Sequence, residues 1–413
     1  MAGQSRTGQR KLNDEQQDNP DVTRRRFFRA SCLATAGLLA GACSRSKNPL
    51  GPAGEANSLA GPVPPVPGGP LGGSNGASSI VAVASTNSYD PATLKQNIQS
   101  SFEALGGLSD IVKSGDTVGI KLNMTGGEGS ASKSVRDYGV DATELYWTHP
   151  EILKAVAELL KDAGAGRIVV VEANYDTPSY TDWGYKAVVE YLGAEYYNLN
   201  NKKPYSDFVK VNVPNPLTHW DYYYHNGVLH DFDCFVSLPK TKRHYGGGMT
   251  NAMKNMIGSV PLSIYQTSGA WRAKLHSADN GSQTNSYTGF KNLVRTIVDL
   301  NKIRPIHLAV CDAIMTADNG EGPWNQGFRR ARFDTLITSK DPVAADAIGT
   351  TLFGFDPTCA DRTGPFCNAS LPGDFAGTDN YLRIAEEEGL GVHDPDRIQV
   401  VDATSTSHVE KEG

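Results

Sequence analysis

Residues 167–172, RIVVVE, restrict the fold more than any other segment of this sequence. The apolar run between its two charged ends is too short for a core helix and has no amphipathic period, so it predicts a strand buried on both faces. Such a strand needs helices above and below it. The chain supplies a helical pattern over residues 91–105 and another after Thr148-His149-Pro150, where Ile152, Leu153, Val156, Leu159 and Leu160 recur at helical spacing before Gly164 and Gly166. A third covers residues 287–303, and Lys340-Asp341-Pro342 opens a fourth with Asp341 as its N-cap. Short apolar runs at 80–84, 116–122, 231–238, 306–311, 333–338 and 397–401 predict further strands, while residues 124–147 read as a long polar loop. Alternation of this kind predicts an α/β fold, a mainly parallel sheet with helices on both faces, built as one domain or as two fused α/β lobes. Ligands of open α/β sheets lie beyond the carboxyl ends of the strands. That rule gathers Lys121, Asn123, Glu172, residues 240–244 and Asp312 on one rim.

The chemistry concentrates in residues 238–258, LPKTKRHYGGGMTNAMKNMIG, which follow the apolar run at 231–238. Lys240, Lys242, Arg243 and His244 precede three glycines, and the pattern after them predicts a short helix capped at Thr250 or Asn251 and stopped at Gly258. Glycines such as Gly247 admit close backbone approach, a helix start presents free N–H groups, and the lysines add full charge, so the whole suits an anion. No Asp or Glu occurs between Asp233 and Asp279, which leaves these cations, with Lys254 beside Asn255, without a local counter-ion. The alternative is a solvated basic loop before a core helix. The histidines His219, His225 and His230 sit among tyrosines, a pattern that fits either a metal site or a hydrogen-bonded surface hairpin.

The first 78 residues read as an address and a tether. Thr23-Arg24-Arg25-Arg26-Phe27-Phe28-Arg29 matches the twin-arginine export pattern and precedes a weakly apolar stretch, 30–42, too short to span a bilayer. Ala40-Gly41-Ala42-Cys43 reads as a cleavage site of the A-x-A kind or as a lipobox with Cys43 lipidated, and the Gly/Pro/Ser-rich residues after it suit a flexible tether. The expected organisation is a signal peptide over 1–42, a tether over 43–78, an α/β domain over 79–403 and a polar tail over 404–413. Removal of 1–42 leaves 32 basic and 41 acidic groups, a surface that excludes nucleic acid as a natural partner. Cys359 and Cys367 bracket a short loop and are open to either a disulfide or two thiols. No C-x-x-C is present, so an iron–sulfur cluster or a four-cysteine zinc site is not expected.

The succession GIKLN at 119–123, THPEI at 148–152, the lysine–histidine segment at 238–258, CDAIMTADNGEGP at 311–323 and SKDPVAADAIGTTLFGFDP at 339–357 resembles the family called domain of unknown function 362. The resemblance implies a fold type more than a reaction. It carries over the polar positions Lys121, Asn123, His149, Lys240, Lys242, His244, Lys254, Asn255, Asp312 and Asp341. Many relatives bear ferredoxin-like cysteine motifs, which this chain lacks.

From the groups themselves the expected function is an exported, membrane-tethered enzyme acting on a small anionic metabolite. Lys121, Asn123, Lys240, Gly247, Lys254 and Asn255 would bind it, and His244, Lys242, Glu172 and Asp312 would carry acid–base steps. Crowded lysines have lowered pKa values, which suits one of them to base or Schiff-base chemistry. A divalent metal is admissible, with His149 and Glu321 as candidate ligands. The competing class is a lipoprotein that binds an anion or a metal without changing it.

Overall fold

The computed structural model describes residues 78–266, 272–276, 291–367 and 377–404. The leader, the tether with Cys43, and the polar tail beyond 404 lie outside the described residues. The strands are β1 (Ser79–Ser85), β2 (Thr117–Lys121), β3 (Arg167–Glu172), β4 (Glu195–Asn198), β5 (Phe208–Asn212), β6 (Tyr222–Asn226), β7 (Cys234–Ser237), β8 (Lys242–His244), β9 (Gly248–Thr250), β10 (Leu308–Asp318), β11 (Arg329–Ser339) and β12 (Ile398–Asp402). Eight of them form one sheet in the order β12-β1-β11-β10-β7-β2-β3-β4. Only β11 runs against the rest, pairing antiparallel with both β1 and β10. The fold is therefore α/β with a mostly parallel sheet. β7 joins β10 to β2, so the strands make a single continuous sheet and not two lobes.

Strand β3 shows why the buried run is decisive. Ile168 and Val170 join the core under one helical layer, while Val169 and Val171, equally buried, point to the opposite face. The first layer holds α1 (Pro91–Ala104), α4 (Pro150–Asp162) and α6 (Tyr185–Leu192), which pack in succession. α8 (Lys291–Ile303), α9 (Pro342–Leu352) and α10 (Tyr381–Glu387) form the other layer. Two short helices, α5 (Pro178–Thr181) and α7 (Leu262–Tyr265), precede α6 and α8 in the chain. Asp341 caps α9, accepting from the N–H groups of Val343 and Ala344, and His149 caps α4 through Nδ1, which accepts from the Glu151 N–H at 3.1 Å.

Three local expectations differ. The polar stretch after β2 contains α2 (Gly127–Tyr138) and α3 (Ala142–Leu145). Its polar, small-residue sequence hides the helical period, and Gly126 and Gly127 enter it with positive φ. The glycine loop is the turn of a β-hairpin, because β8 pairs with β9 in the register Lys242↔Thr250 and His244↔Gly248. Thr250 is thus in a strand, and the next element is a 3-10 segment, Lys254–Ser259, whose residues are buried on nearly every side. The third difference is Asp312, which sits in the middle of the eleven-residue β10, ahead of a bulge at Ala313/Met315, and not at a strand end.

Candidate functional site

The site is built where β2, β3 and β7 end side by side. Lys121 closes β2, Glu172 closes β3, and Lys121 Nζ donates to Glu172 Oε2 at 2.8 Å and to the Leu122 carbonyl at 2.7 Å. Glu172 also accepts from the N–H groups of Met124 and Ala173. Asn255 ties the rim together, donating to the Lys121 carbonyl and to Ser237 Oγ at the end of β7. Past β7 the chain runs along β10, where Lys240 bridges to Asp312. Lys240 Nζ donates to Asp312 Oδ2, to Tyr89 Oη at 2.9 Å and to the carbonyls of Glu144 and Met315. Glu172 and Asp312 therefore do face lysines, each as the counter-ion of one. Burial pushes both carboxyls up from the usual range, and the adjacent ammonium pulls each back.

The other two lysines are different. Lys242 is fully buried on β8, and its Nζ donates to Asn123 Oδ1 at 2.7 Å and to the Tyr146 carbonyl at 2.6 Å. Among the described residues no carboxylate lies within ion-pair distance of it. Burial holds its pKa well below the ordinary lysine value, and the charges of Lys254 and Lys240 depress it further. Lys254 is buried too, without a hydrogen bond or ion pair among the described residues, and burial brings its pKa down to about 8 against a partial pull from Glu321. Gly247 makes room for it: a Cβ there would stand 3.1 Å from Lys254 Cε.

His244 accepts from the N–H groups of Gly246 and Gly247, both at 3.0 Å, through Nδ1. Its ring proton is thereby placed on Nε2, which faces Glu321 Oε2 at 3.8 Å. Burial, with Lys254, His276 and Lys242 nearby, keeps the imidazole neutral by holding its pKa well below 6.5. Glu321 comes from the loop joining β10 to β11 and accepts from Trp324 Nε1 at 3.1 Å.

Of the expected binding residues, Asn123 accepts from Lys242 and Gly247 lies against Lys254, whereas Lys121, Lys240 and Asn255 are held by other partners. His149, a candidate ligand with Glu321, is engaged by other groups. It stacks on Tyr89 with centroids 3.7 Å apart, uses Nδ1 in its cap, and has its pKa lowered to about 3 by burial and by Lys240. Among the described residues no group of three His, Cys, Asp or Glu side chains could hold a metal ion. His225 and His230 contact one another at 3.1 Å, His225 lying on the β5–β6 hairpin, and His219 packs against Trp220 with the two rings tilted by 38°. Cys234, Cys311, Cys359 and Cys367 are free thiols.

Three contributors escaped the sequence. Tyr89 precedes α1 with nothing to mark it. Arg272 donates to the carbonyls of Val260 and Ala173 and adds positive charge near Lys254; its signal was available, since it lies in the same acid-free stretch. Asp346 of α9 accepts from the N–H groups of Ala252 and Met253 and from Tyr381 Oη, fixing the segment that leads into Lys254.

A family profile described as Domain of unknown function (DUF362) matches residues 118–351, more than half of the chain. A thylakoid-associated protein of Synechocystis sp. is 25% identical over 284 residues, 67% of this chain and 75% of that protein. Among solved structures, a Thermotoga maritima protein has a TM-score of 0.36 at 12% identity, covering 64% of this chain and 59% of its own. The lactate racemase apoprotein from Thermoanaerobacterium thermosaccharolyticum has a TM-score of 0.31 at 10% identity, over 62% of this chain and 55% of its own. The chain thus spans less than two thirds of either solved protein.

Proposed function

The chain belongs to the DUF362 family, and from the state of its lysines we propose that it is an exported enzyme that binds a small anionic metabolite between Lys242 and Lys254. One observation carries this reading: two buried lysines meet without a carboxylate ion-paired to either among the described residues. The charge on Lys254 is costly to bury, and a bound carboxylate, phosphate or sulfonate would offset that cost. His244 and Glu321 stand beside that position, a neutral imidazole with its N–H toward a carboxylate, and would move a proton on the bound molecule. Glu172 and Asp312 act in this reading as structural counter-ions and not as the acid–base pair. The twin-arginine motif at Arg24-Arg25 and the lipobox-like Ala40-Gly41-Ala42-Cys43 support an envelope location with Cys43 as lipid anchor.

Thermal melting against a panel of oxalate, phosphate and pyruvate tests the anion site. At a hundredfold excess over Kd, a ligand adds about 2.7 kcal/mol of stability. A rise in Tm for at least one anion, absent in Lys254→Met, is expected; equal shifts in both proteins would remove the site from Lys254. Chemical change in the bound anion separates an enzyme from a protein that only captures it.

A further inference from the structure

We propose that Lys242 is the covalent residue of this site, an uncharged amine that condenses with the keto group of a small 2-oxo acid whose carboxylate is held by Lys254. The inference rests on the anion site proposed above and adds the reacting atom and the substrate class.

Hydrogen-bond capacity carries it. An ammonium has three N–H donors and no acceptor, whereas an amine has two donors and a lone pair. Lys242 Nζ has two acceptors among the described residues, Asn123 Oδ1 and the Tyr146 carbonyl, and both are oxygens that cannot donate back along those contacts as placed. An ammonium there would leave one N–H buried and unpaired. An amine is fully satisfied and keeps its lone pair unused. Lys121 and Lys240 serve as internal controls, since they are buried to the same extent. Lys121 has Glu172, the Leu122 carbonyl and Asn255 Oδ1 as acceptors, and Lys240 has Asp312, Tyr89 and two carbonyls. Those two are provided for as cations; Lys242 is provided for as an amine.

The surroundings agree. Of the charged groups that act on Lys242, Lys254 and Lys240 oppose a positive charge, while Glu321 and Glu172 favour one without contacting it, and burial outweighs them. Thr250 stands directly opposite Lys242 across β8 and β9, and its buried hydroxyl has no partner among the described residues. It supplies a donor beside the oxygen that develops in the addition step. Asn123, His244 and Lys254, each 9% exposed, form the edge of the site nearest solvent.

In the reaction, the Nζ lone pair attacks the keto carbon, a C–N bond forms, and the carbonyl π pair moves to oxygen. One proton passes from nitrogen to that oxygen to give the carbinolamine. Loss of the hydroxyl with the second N–H proton releases water and leaves the imine, so that amine and ketone give imine and water with no other reactant.

Pyruvate and sodium cyanoborohydride applied to the purified full-length protein at pH 7 reduce any imine to a stable secondary amine. Peptide mass mapping of wild-type protein then locates it. One carboxyethyl group per chain on Lys242 is expected, formed at least tenfold more slowly in Lys254→Met at subsaturating pyruvate. Modification spread over exposed lysines, or absent from Lys242, overturns the proposal. Oxalate, which offers carboxylates without a keto group, separates the two levels. If oxalate raises Tm and pyruvate leaves Lys242 unmodified, the covalent role falls while the anion site stands; if neither shifts Tm nor labels Lys242, both fall.

Discussion

Lysines of one chemical type carry opposite stability consequences here, and the difference lies in what each ammonium touches. Lys121→Met strips the counter-ion from Glu172, leaving a buried carboxylate with only N–H donors, and is expected to cost about 3–5 kcal/mol. Lys254→Met keeps the stem packing against Gly247 and removes a charge that has no ion-pair partner among the described residues. Its folded pKa of about 8 lies below the unfolded lysine value, so the unfolded chain binds the proton first as pH falls. The penalty is absent above about pH 10.5, grows down to about 8 and is complete below that. At pH 7 Lys254→Met should accordingly be more stable than wild type by about 1–3 kcal/mol, with the gain fading toward pH 10. Urea denaturation of both variants across that range checks the sign; a Lys254→Met that is less stable at pH 7 would mean that the lysine has a buried acidic partner. The sequence identified all four lysines but not their division, because the counter-ions arrive from 51 residues away for Lys121 and 72 for Lys240. Of the three lysines the acid-free stretch contributes, Lys240 pairs with the distant Asp312, while Lys242 and Lys254 have no ion pair among the described residues.

The β8–β9 hairpin is the element that turns a strand end into a site. Its short pairing places Lys242 and His244 on one strand, with Thr250 across from Lys242 and Gly248 across from His244. Gly248 makes the turn with φ of +74°, and a Cβ there would lie 2.6 Å from Phe366 Cδ1. Gly354, with φ of +79° and nothing within 4 Å of a built Cβ, isolates the backbone contribution. Gly354→Ala should cost about 1 kcal/mol, and Gly248→Ala visibly more, together with loss of the anion-induced rise in Tm. Equal denaturation midpoints for the two variants would mean that the hairpin yields without strain. Elements with a strong period were legible: RIVVVE matches β3 residue for residue, and Thr148-His149-Pro150 does open α4. The hairpin was not, for a physical reason. Met249, Ala252, Met253, Met256 and Ile257 are all buried, so the apolar spacing that suggested an amphipathic helix has no polar face to contrast with.

At the scale of the molecule, one sheet brings distant sequence to one rim, and the rule for open α/β sheets was enough to gather Lys121, Glu172 and Lys240 there. What that rule could not supply was which charges cancel, since cancellation depends on neighbours across strands. In the reading proposed above, the charge of Lys254, in a chain that is net acidic beyond residue 42, would favour small anions that can leave bulk water over extended polyanions. The location proposed for the protein rests on short motifs alone, and it separates cleanly from the chemistry. Among the described residues no helix is long and apolar enough to cross a membrane, and the attachment proposed here is through Cys43. Changing Arg24 and Arg25 together to lysine preserves charge while removing the paired guanidinium groups, and is expected to leave the protein in the cytoplasm with its anion-induced Tm shift intact. Cys43→Ser should instead permit export and move the protein from the membrane fraction to the soluble envelope fraction. Fractionation and immunodetection measure both. Export of the double-lysine variant at the wild-type rate would overturn the twin-arginine assignment, and a Cys43→Ser protein that still sediments with membranes would overturn the lipid anchor, in neither case touching the site at Lys242 and Lys254.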